Sequence, residues 1–214
     1  PWFKVRARDE FIALPGATLA VTHPVEYDEI MKSAIDAMYN FMREGKLDKN
    51  IELIDLPDVP LWSVWAVQAH AKKFDIESTR KKFGQYVADV VEYILGNTHP
   101  NLFYNDNGLV STNGKQRPVS WMDSSHPDGT PIIARSGYLV EFNALWYNTL
   151  RFAAQLFEGV EEMAEKVEKW NTIAQKCGES FVNTFYNDFG YLYDYVDGYY
   201  VDLSVRPNMC IAIG

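Results

Sequence analysis

Pro24-Val25-Glu26-Tyr27-Asp28-Glu29-Ile30-Met31-Lys32-Ser33-Ala34-Ile35-Asp36-Ala37-Met38-Tyr39-Asn40-Phe41-Met42 is the stretch that decides the fold class. Its apolar residues Tyr27, Ile30, Met31, Ala34, Ile35, Met38, Phe41 and Met42 recur at intervals that place them on one face of an α-helix. Pro24 suits the first turn of that helix and Gly45 its end. The same periodicity runs through Leu61 to Phe74, through Phe83, Val87, Val90, Val91, Ile94 and Leu95 ahead of Gly96, and through Phe142 to Phe157. It returns in Met163, Val167, Trp170, Ala174, Cys177, Phe181 and Phe185. A helix from Asp9 to Val21 and another after Pro207 bring the total to about six or seven, and strand-like alternation is confined to Tyr191–Val201. The fold class is all-α. Helices that arrive in pairs, joined by loops of very unequal length, suit a toroid of helical hairpins with long functional loops at one end.

The 214 residues suffice for one domain. The chain opens abruptly on Pro1-Trp2-Phe3 and halts at Ile211-Ala212-Ile213-Gly214, in an apolar run that has barely begun a helix. Residues 1–214 are therefore expected to be a single partial domain, cut at both ends. Hydrophobic residues at 47% and charged residues at 23% are ordinary globular usage, and no apolar run reaches the ~18 residues a membrane span needs. A formal charge of −9 argues against nucleic acid, whose phosphates require clustered Lys and Arg. Cys177 and Cys210 read as buried thiols, which points to a reducing, cytoplasmic setting.

The aromatic content, 14% with six Trp and thirteen Tyr, includes several residues in Asn- and Asp-rich stretches, where rings stack on sugars; taken singly, each is more often core. The four His residues, at 23, 70, 99 and 126, have no metal-ligand spacing, so neither metal nor cofactor is expected. Phosphoryl transfer and serine-hydrolase chemistry lack their motifs. The longest unpatterned segment, Asn97–Ser136, is dense in turn signals such as Asn107-Gly108, Asn113-Gly114 and Asp128-Gly129. Ordered loops of this length are usually functional.

Four segments combine carboxylates, Arg and Trp at or before helix starts: Arg8-Asp9, Asp58-Val59-Pro60-Leu61-Trp62, Ser120-Trp121-Met122-Asp123 and Glu141-Phe142-Asn143-Ala144-Leu145-Trp146. Asp58 reads as a plain helix cap on spacing alone, while Asp9 stands evenly between cap and ligand. No helical pattern follows Asp123. Its position beside Trp121 and Met122 predicts apolar surroundings, in which an acid keeps its proton and can donate it. Glycoside hydrolysis pairs such a donor with a second carboxylate, and Glu141 is the partner the residues offer.

In order, these segments resemble the signature of the amylo-α-1,6-glucosidase domain of glycogen debranching enzymes, which belongs with the glucoamylase-like (α/α)6 toroids. Arg8-Asp9-Glu10-Phe11-Ile12-Ala13-Leu14-Pro15-Gly16 is similar to the opening of that family, and Asp58 with Leu61-Trp62 to its acidic residue before Leu-Trp. Ser120-Trp121-Met122-Asp123 is similar to its Thr-Trp-Met-Asp, and Glu141-Phe142-Asn143-Ala144-Leu145-Trp146-Tyr147-Asn148 to its Glu-Ile-Asn-Ala-Leu-Trp-Tyr-Asn. Arg206-Pro207-Asn208 resembles its Arg-Pro-Asn step into a later helix. Ala7, Ser120, Ala134 and Met209 depart from the family pattern.

The resemblance implies an inverting hydrolase that releases glucose from α-1,6 branch stubs of glycogen or limit dextrin, with Asp123 as general acid. Arg8, Asp9, Trp62, Trp121 and Glu141 then line the glucose pocket, and Asp58, Arg135, Asn143 and Trp146 join them as substrate-binding candidates. The implied partners are an α-glucan and the remainder of the same catalytic domain. In the family the general base follows a His-Gln-Gly-Thr-Val-Trp-Pro type segment that this sequence does not contain, which makes Glu141 a binding residue. Two alternatives stand beside this reading: cleavage of another α-glucosidic linkage, and a catalytically silent glycan-binding helical domain.

Overall fold

The computed structural model describes residues 4–213, so the abrupt ends read at Pro1-Trp2-Phe3 and at Gly214 lie outside the described residues. The periodic stretches form helices α1 (Ala7–Ala17), α2 (Pro24–Glu44), α3 (Val59–Lys73), α4 (Ile76–Leu95), α5 (Val140–Leu156), α6 (Ala164–Phe185) and α7 (Asn208–Ile213). The protein is mostly helical. Gly45 closes α2 in the left-handed conformation at φ 66°, its N–H donating to the Phe41 carbonyl at 2.8 Å while the Lys46 N–H donates to that of Asn40 at 3.4 Å. The helix expected from Asp9 to Val21 is divided: α1 stops at Ala17, and Leu19–Val21 form a separate 3-10 turn. Pro15 lacks the N–H that an interior turn requires, and the Thr18 hydroxyl donates to the Leu14 carbonyl at 2.6 Å.

Strand pairing extends beyond the expected Tyr191–Val201 stretch. Strand β1 (Val5–Arg6) pairs in parallel with β2 (Ile51–Glu52), and β3 (Phe103–Tyr104) pairs antiparallel with β4 (Val110–Ser111). Strands β5 (Tyr138–Leu139), β6 (Tyr195–Asp197) and β7 (Tyr200–Val201) form a three-stranded antiparallel sheet in that order. Pairs of two residues are too short to carry an alternating pattern.

Helix α1 packs on α3, α3 on α5 and α5 on α7, while α2 lies on α1, α4 on both α3 and α5, and α6 on α5. The interior this encloses is filled by Phe11, Tyr27, Met31, Phe142, Trp146 and Trp170, each less than 2% exposed. Burying one such side chain stabilises the fold by about 1.5–3 kcal/mol. Among the described residues no helix is long and apolar enough to cross a membrane. Cys177 is a buried free thiol, as expected, whereas Cys210 is free but exposed on the short α7.

The short strands fix which helix ends meet. The register Val5↔Ile51 and Arg6↔Glu52 holds the start of α1 beside the turn that leads into α3. The register Leu139↔Tyr195 brings Asp194 to the start of α5, where the Val140 N–H donates to the Asp194 carbonyl at 3.1 Å. Gly137 makes this approach possible: at φ 80°, a Cβ there would lie 2.2 Å from the Val196 carbonyl oxygen.

Candidate active site

Arg8, in the first turn of α1, and Asp58, the residue before α3, face one another inside the protein, 3% and 1% exposed. The Arg8 Nε donates to Asp58 Oδ2 at 2.5 Å and Nη2 donates to Oδ1 at 3.2 Å, a two-pronged ion pair. Asp58 makes no capping hydrogen bond, so the cap reading is corrected: its carboxylate is spent on a residue 50 positions earlier. Burial raises the Asp58 carboxyl above its ordinary value, the Arg8 guanidinium opposes that rise, and the nearby Glu141 carboxylate adds to it.

The remaining prong of Arg8 turns toward Asp123. Arg8 Nη1 lies 3.9 Å from Asp123 Oδ2, and Arg6 Nη1 lies 3.5 Å from the same oxygen. The Asp123 side chain is 37% exposed. The apolar enclosure expected from Trp121 and Met122 is therefore corrected: the neighbours are two guanidinium groups, and solvent or a ligand reaches the carboxylate. Trp121 is itself 41% exposed, and Asp9 lies on the exposed side of α1.

Behind this surface sits a buried polar network. Arg135, 2% exposed, donates to both Glu141 carboxylate oxygens at 2.5 and 2.7 Å, to Asp194 Oδ2 through Nε at 2.7 Å, and to the Ser120 hydroxyl at 3.3 Å. Burial opposes the charge on Arg135, but Glu141 and Asp194 outweigh it and hold the guanidinium protonated. Asp194, fully buried, also accepts from Arg206 Nη1 at 2.8 Å and from Asn208 Nδ2 at 2.6 Å. The Asn208 Oδ1 in turn accepts from the Trp121 indole N–H at 2.7 Å.

Four residues expected at the pocket are thereby relocated. Arg135 and Glu141 satisfy one another inside the network and present no free face to a sugar. Asn143, 0% exposed, clamps β4 to α5, accepting from the Val110 N–H at 2.7 Å and donating to the Val110 and Leu139 carbonyls. Trp146, also 0% exposed, belongs to the core, with its indole N–H on the Gly108 carbonyl at 3.1 Å. Trp62 is 7% exposed and packs edge-on against Trp65. It borders an apolar hollow of about 610 Å³ with Leu145, Phe181 and Ile211, in whose wall neither Trp121 nor Asp123 takes part.

Arg8, Asp58, Asp123 and Trp121 are thus gathered around the starts of α1, α3 and α7, with Glu141 close behind at the start of α5. Carboxylates there also gain from the positive ends of the helix dipoles. Asp194 and Arg6 carried no sequence signal that singled them out as site residues, and Arg206 stood out only through the Arg206-Pro207-Asn208 motif; Asp194 sits within an alternating aromatic run, Tyr193-Asp194-Tyr195, that reads as strand. The surface this builds offers an acid group reachable from outside, guanidinium donors beside it and an aromatic face adjacent, a combination suited to a neutral polyhydroxylated ligand. In comparison with known proteins, the family model described as Amylo-alpha-1,6-glucosidase matches residues 1–214. No curated protein matches the chain.

Proposed function

Because the chain belongs to the amylo-α-1,6-glucosidase family, we propose that it serves hydrolysis of the single α-1,6-linked glucose left at branch points of glycogen or limit dextrin, with Asp123 as general acid. The observation that carries this reading is the position of Asp123: a carboxylate 37% exposed and open to a ligand, in the same loop as the exposed Trp121. In this reading Asp123 protonates the leaving glycosidic oxygen, and Trp121 offers a face to the sugar ring. Arg8 and Asp9 supply donor and acceptor for sugar hydroxyls, with Asp58 holding Arg8 in place.

Inversion of the anomeric centre places a second carboxylate about 6.5–9.5 Å from the acid, with the attacking water between them. Glu141 is not assigned that part, since Arg135 occupies both of its oxygens. We place the base, on the family resemblance, after a His-Gln-Gly-Thr-Val-Trp-Pro type segment, which residues 1–214 do not contain. We further assign the helices to an arc of an (α/α)6 toroid, supported by the succession of contacts α1–α3–α5–α7, against which α2, α4 and α6 pack. The free thiols Cys177 and Cys210 support a reducing, cytoplasmic setting.

Asp123→Asn in the full-length protein tests the assignment, read as glucose released from a limit dextrin. Loss of release with saccharide binding retained is expected; near wild-type turnover would show that the acid lies elsewhere. The enclosure of Glu141 also favours a second reading, a glycan-binding domain without its own chemistry. Glucose release by residues 1–214 alone would eliminate that reading and return an internal carboxylate to the role of base.

A further inference from the structure

Among the described residues the exposed Trp121 side chain makes one hydrogen bond, and its partner is buried. Its indole N–H can only donate, so the acceptor at 2.7 Å must be the carbonyl oxygen of the Asn208 amide. The amide nitrogen of Asn208 then faces Asp194 Oδ1 at 2.6 Å and the Met122 sulfur at 3.4 Å. This orientation has no sensible alternative, because a flipped amide would set oxygen against carboxylate and nitrogen against indole N–H. Asn208 is 0% exposed, and Asp194 beneath it is held by Arg135 and Arg206 from two other directions. The chain of contacts runs from a rigid ionic cluster, through one amide, to a ring that is otherwise 41% open.

We propose that Asn208, locked by Asp194, is a positioning residue that fixes the Trp121 ring, and with it the adjoining Met122-Asp123 backbone, for contact with the sugar. Asparagine suits this position because it alone offers an acceptor to the indole and a donor to the carboxylate at the same reach; aspartate would oppose two carboxylates and leucine would satisfy neither neighbour. The inference rests on the reading of Trp121 as a glucose-facing ring, and the test separates the two.

Saccharide affinity is measured by calorimetry in the full-length protein, using a short maltooligosaccharide bearing one α-1,6-linked glucose, for Asn208→Ala, Trp121→Phe and the double variant. Asn208→Ala is expected to weaken binding by about two- to tenfold, the range for one hydrogen bond, and Trp121→Phe by at least as much. The double variant should bind no more weakly than Trp121→Phe. An Asn208→Ala loss of equal size in the Trp121→Phe background would overturn the proposal, since Asn208 would then act on the fold at large.

If Trp121→Phe leaves affinity unchanged, the pocket reading fails, and positioning is judged from Trp121 emission, taken as the difference between proteins with and without that residue. Increased acrylamide quenching of this emission in Asn208→Ala supports positioning; unchanged quenching overturns it. Should Asn208→Ala not fold, benzothienylalanine placed at position 121 keeps the ring, deletes the N–H and leaves the buried cluster untouched. Affinity lower by the same two- to tenfold supports the proposal, and wild-type affinity with unchanged ring accessibility rejects it.

Discussion

Removing Asp58 should cost more stability than removing Arg8, although the two make the same ion pair. Both are enclosed, at 1% and 3% exposure, so neither deletion is repaired by water. In Asp58→Leu the guanidinium keeps only the distant Asp123 carboxylate, at 3.9 Å, and Arg cannot shed its proton. Stranding a buried charge in this way costs about 3–5 kcal/mol. In Arg8→Leu, by contrast, burial and the neighbouring Glu141 both favour the protonated Asp58 carboxyl, and the charge is discharged by proton uptake. The cost then falls to that of an imperfectly bonded neutral group, about 1–3 kcal/mol. The double variant, with apolar side chains at both positions, should recover most of the Asp58→Leu loss, because a buried ion pair is often replaceable by well-packed hydrophobes at little net cost. For a chain of this length each kcal/mol shifts the thermal midpoint by about 2–4 °C, so Asp58→Leu should lower Tm by roughly 6–20 °C. Urea unfolding at pH 7 with matched melting curves provides the comparison. An Arg8→Leu loss equal to or larger than that of Asp58→Leu would refute the reasoning, as would a loss below about 1 kcal/mol for either variant.

The pH dependence of stability carries two opposed contributions. Burial raises the Glu10 carboxyl from 4.5 to about 7, so its contribution is complete below pH 4.5 and is lost as pH climbs through 7. Burial between Phe41 and Tyr93 lowers the His99 imidazole from 6.5 to about 4, so its contribution is complete above pH 6.5 and is lost as pH falls through 4. Relative to wild type, Glu10→Gln should tilt urea-derived stability toward higher pH between pH 4.5 and 6.5, and His99→Phe should tilt it toward lower pH; parallel profiles for all three proteins would contradict both assignments. Trp146→Phe should lower stability by about 1–3 kcal/mol, through lost packing and an unpaired Gly108 carbonyl, while saccharide affinity stays at the wild-type value. A selective loss of affinity would return Trp146 to the pocket.

The helices were legible because one buried face on each repeats with the helical period, and α2 begins and ends within a few residues of the expected bounds. The start of α4 was harder to see. Its first turn, Ile76-Glu77-Ser78, is fixed not by apolar spacing but by Asp75, whose carboxylate accepts from the Ser78 N–H at 2.7 Å. The site was legible only where residues adjacent in sequence stay adjacent in space. Arg8-Asp9 and Trp121-Met122-Asp123 could be named as units, but the partner of Asp58 lies 50 residues away and the second partner of Arg135, Asp194, lies 59 residues away. Local reading therefore makes Asp58 a cap and passes over Asp194 entirely. The relocation of Asn143 and Trp146 has the same cause: their motif is intact, but its polar atoms face Val110 and Gly108 within the protein.

The fastening of Trp121 to Asn208 also sets an order of events during synthesis. The two residues are 87 positions apart, so at about 5–20 residues per second the indole waits roughly 4–17 s for its acceptor to emerge. For that interval the loop bearing Asp123 has Arg6 and Arg8 behind it but neither Asp194 nor Asn208 to settle against. The aromatic face of the nascent chain is then open to chaperones and proteases until Asn208 has emerged.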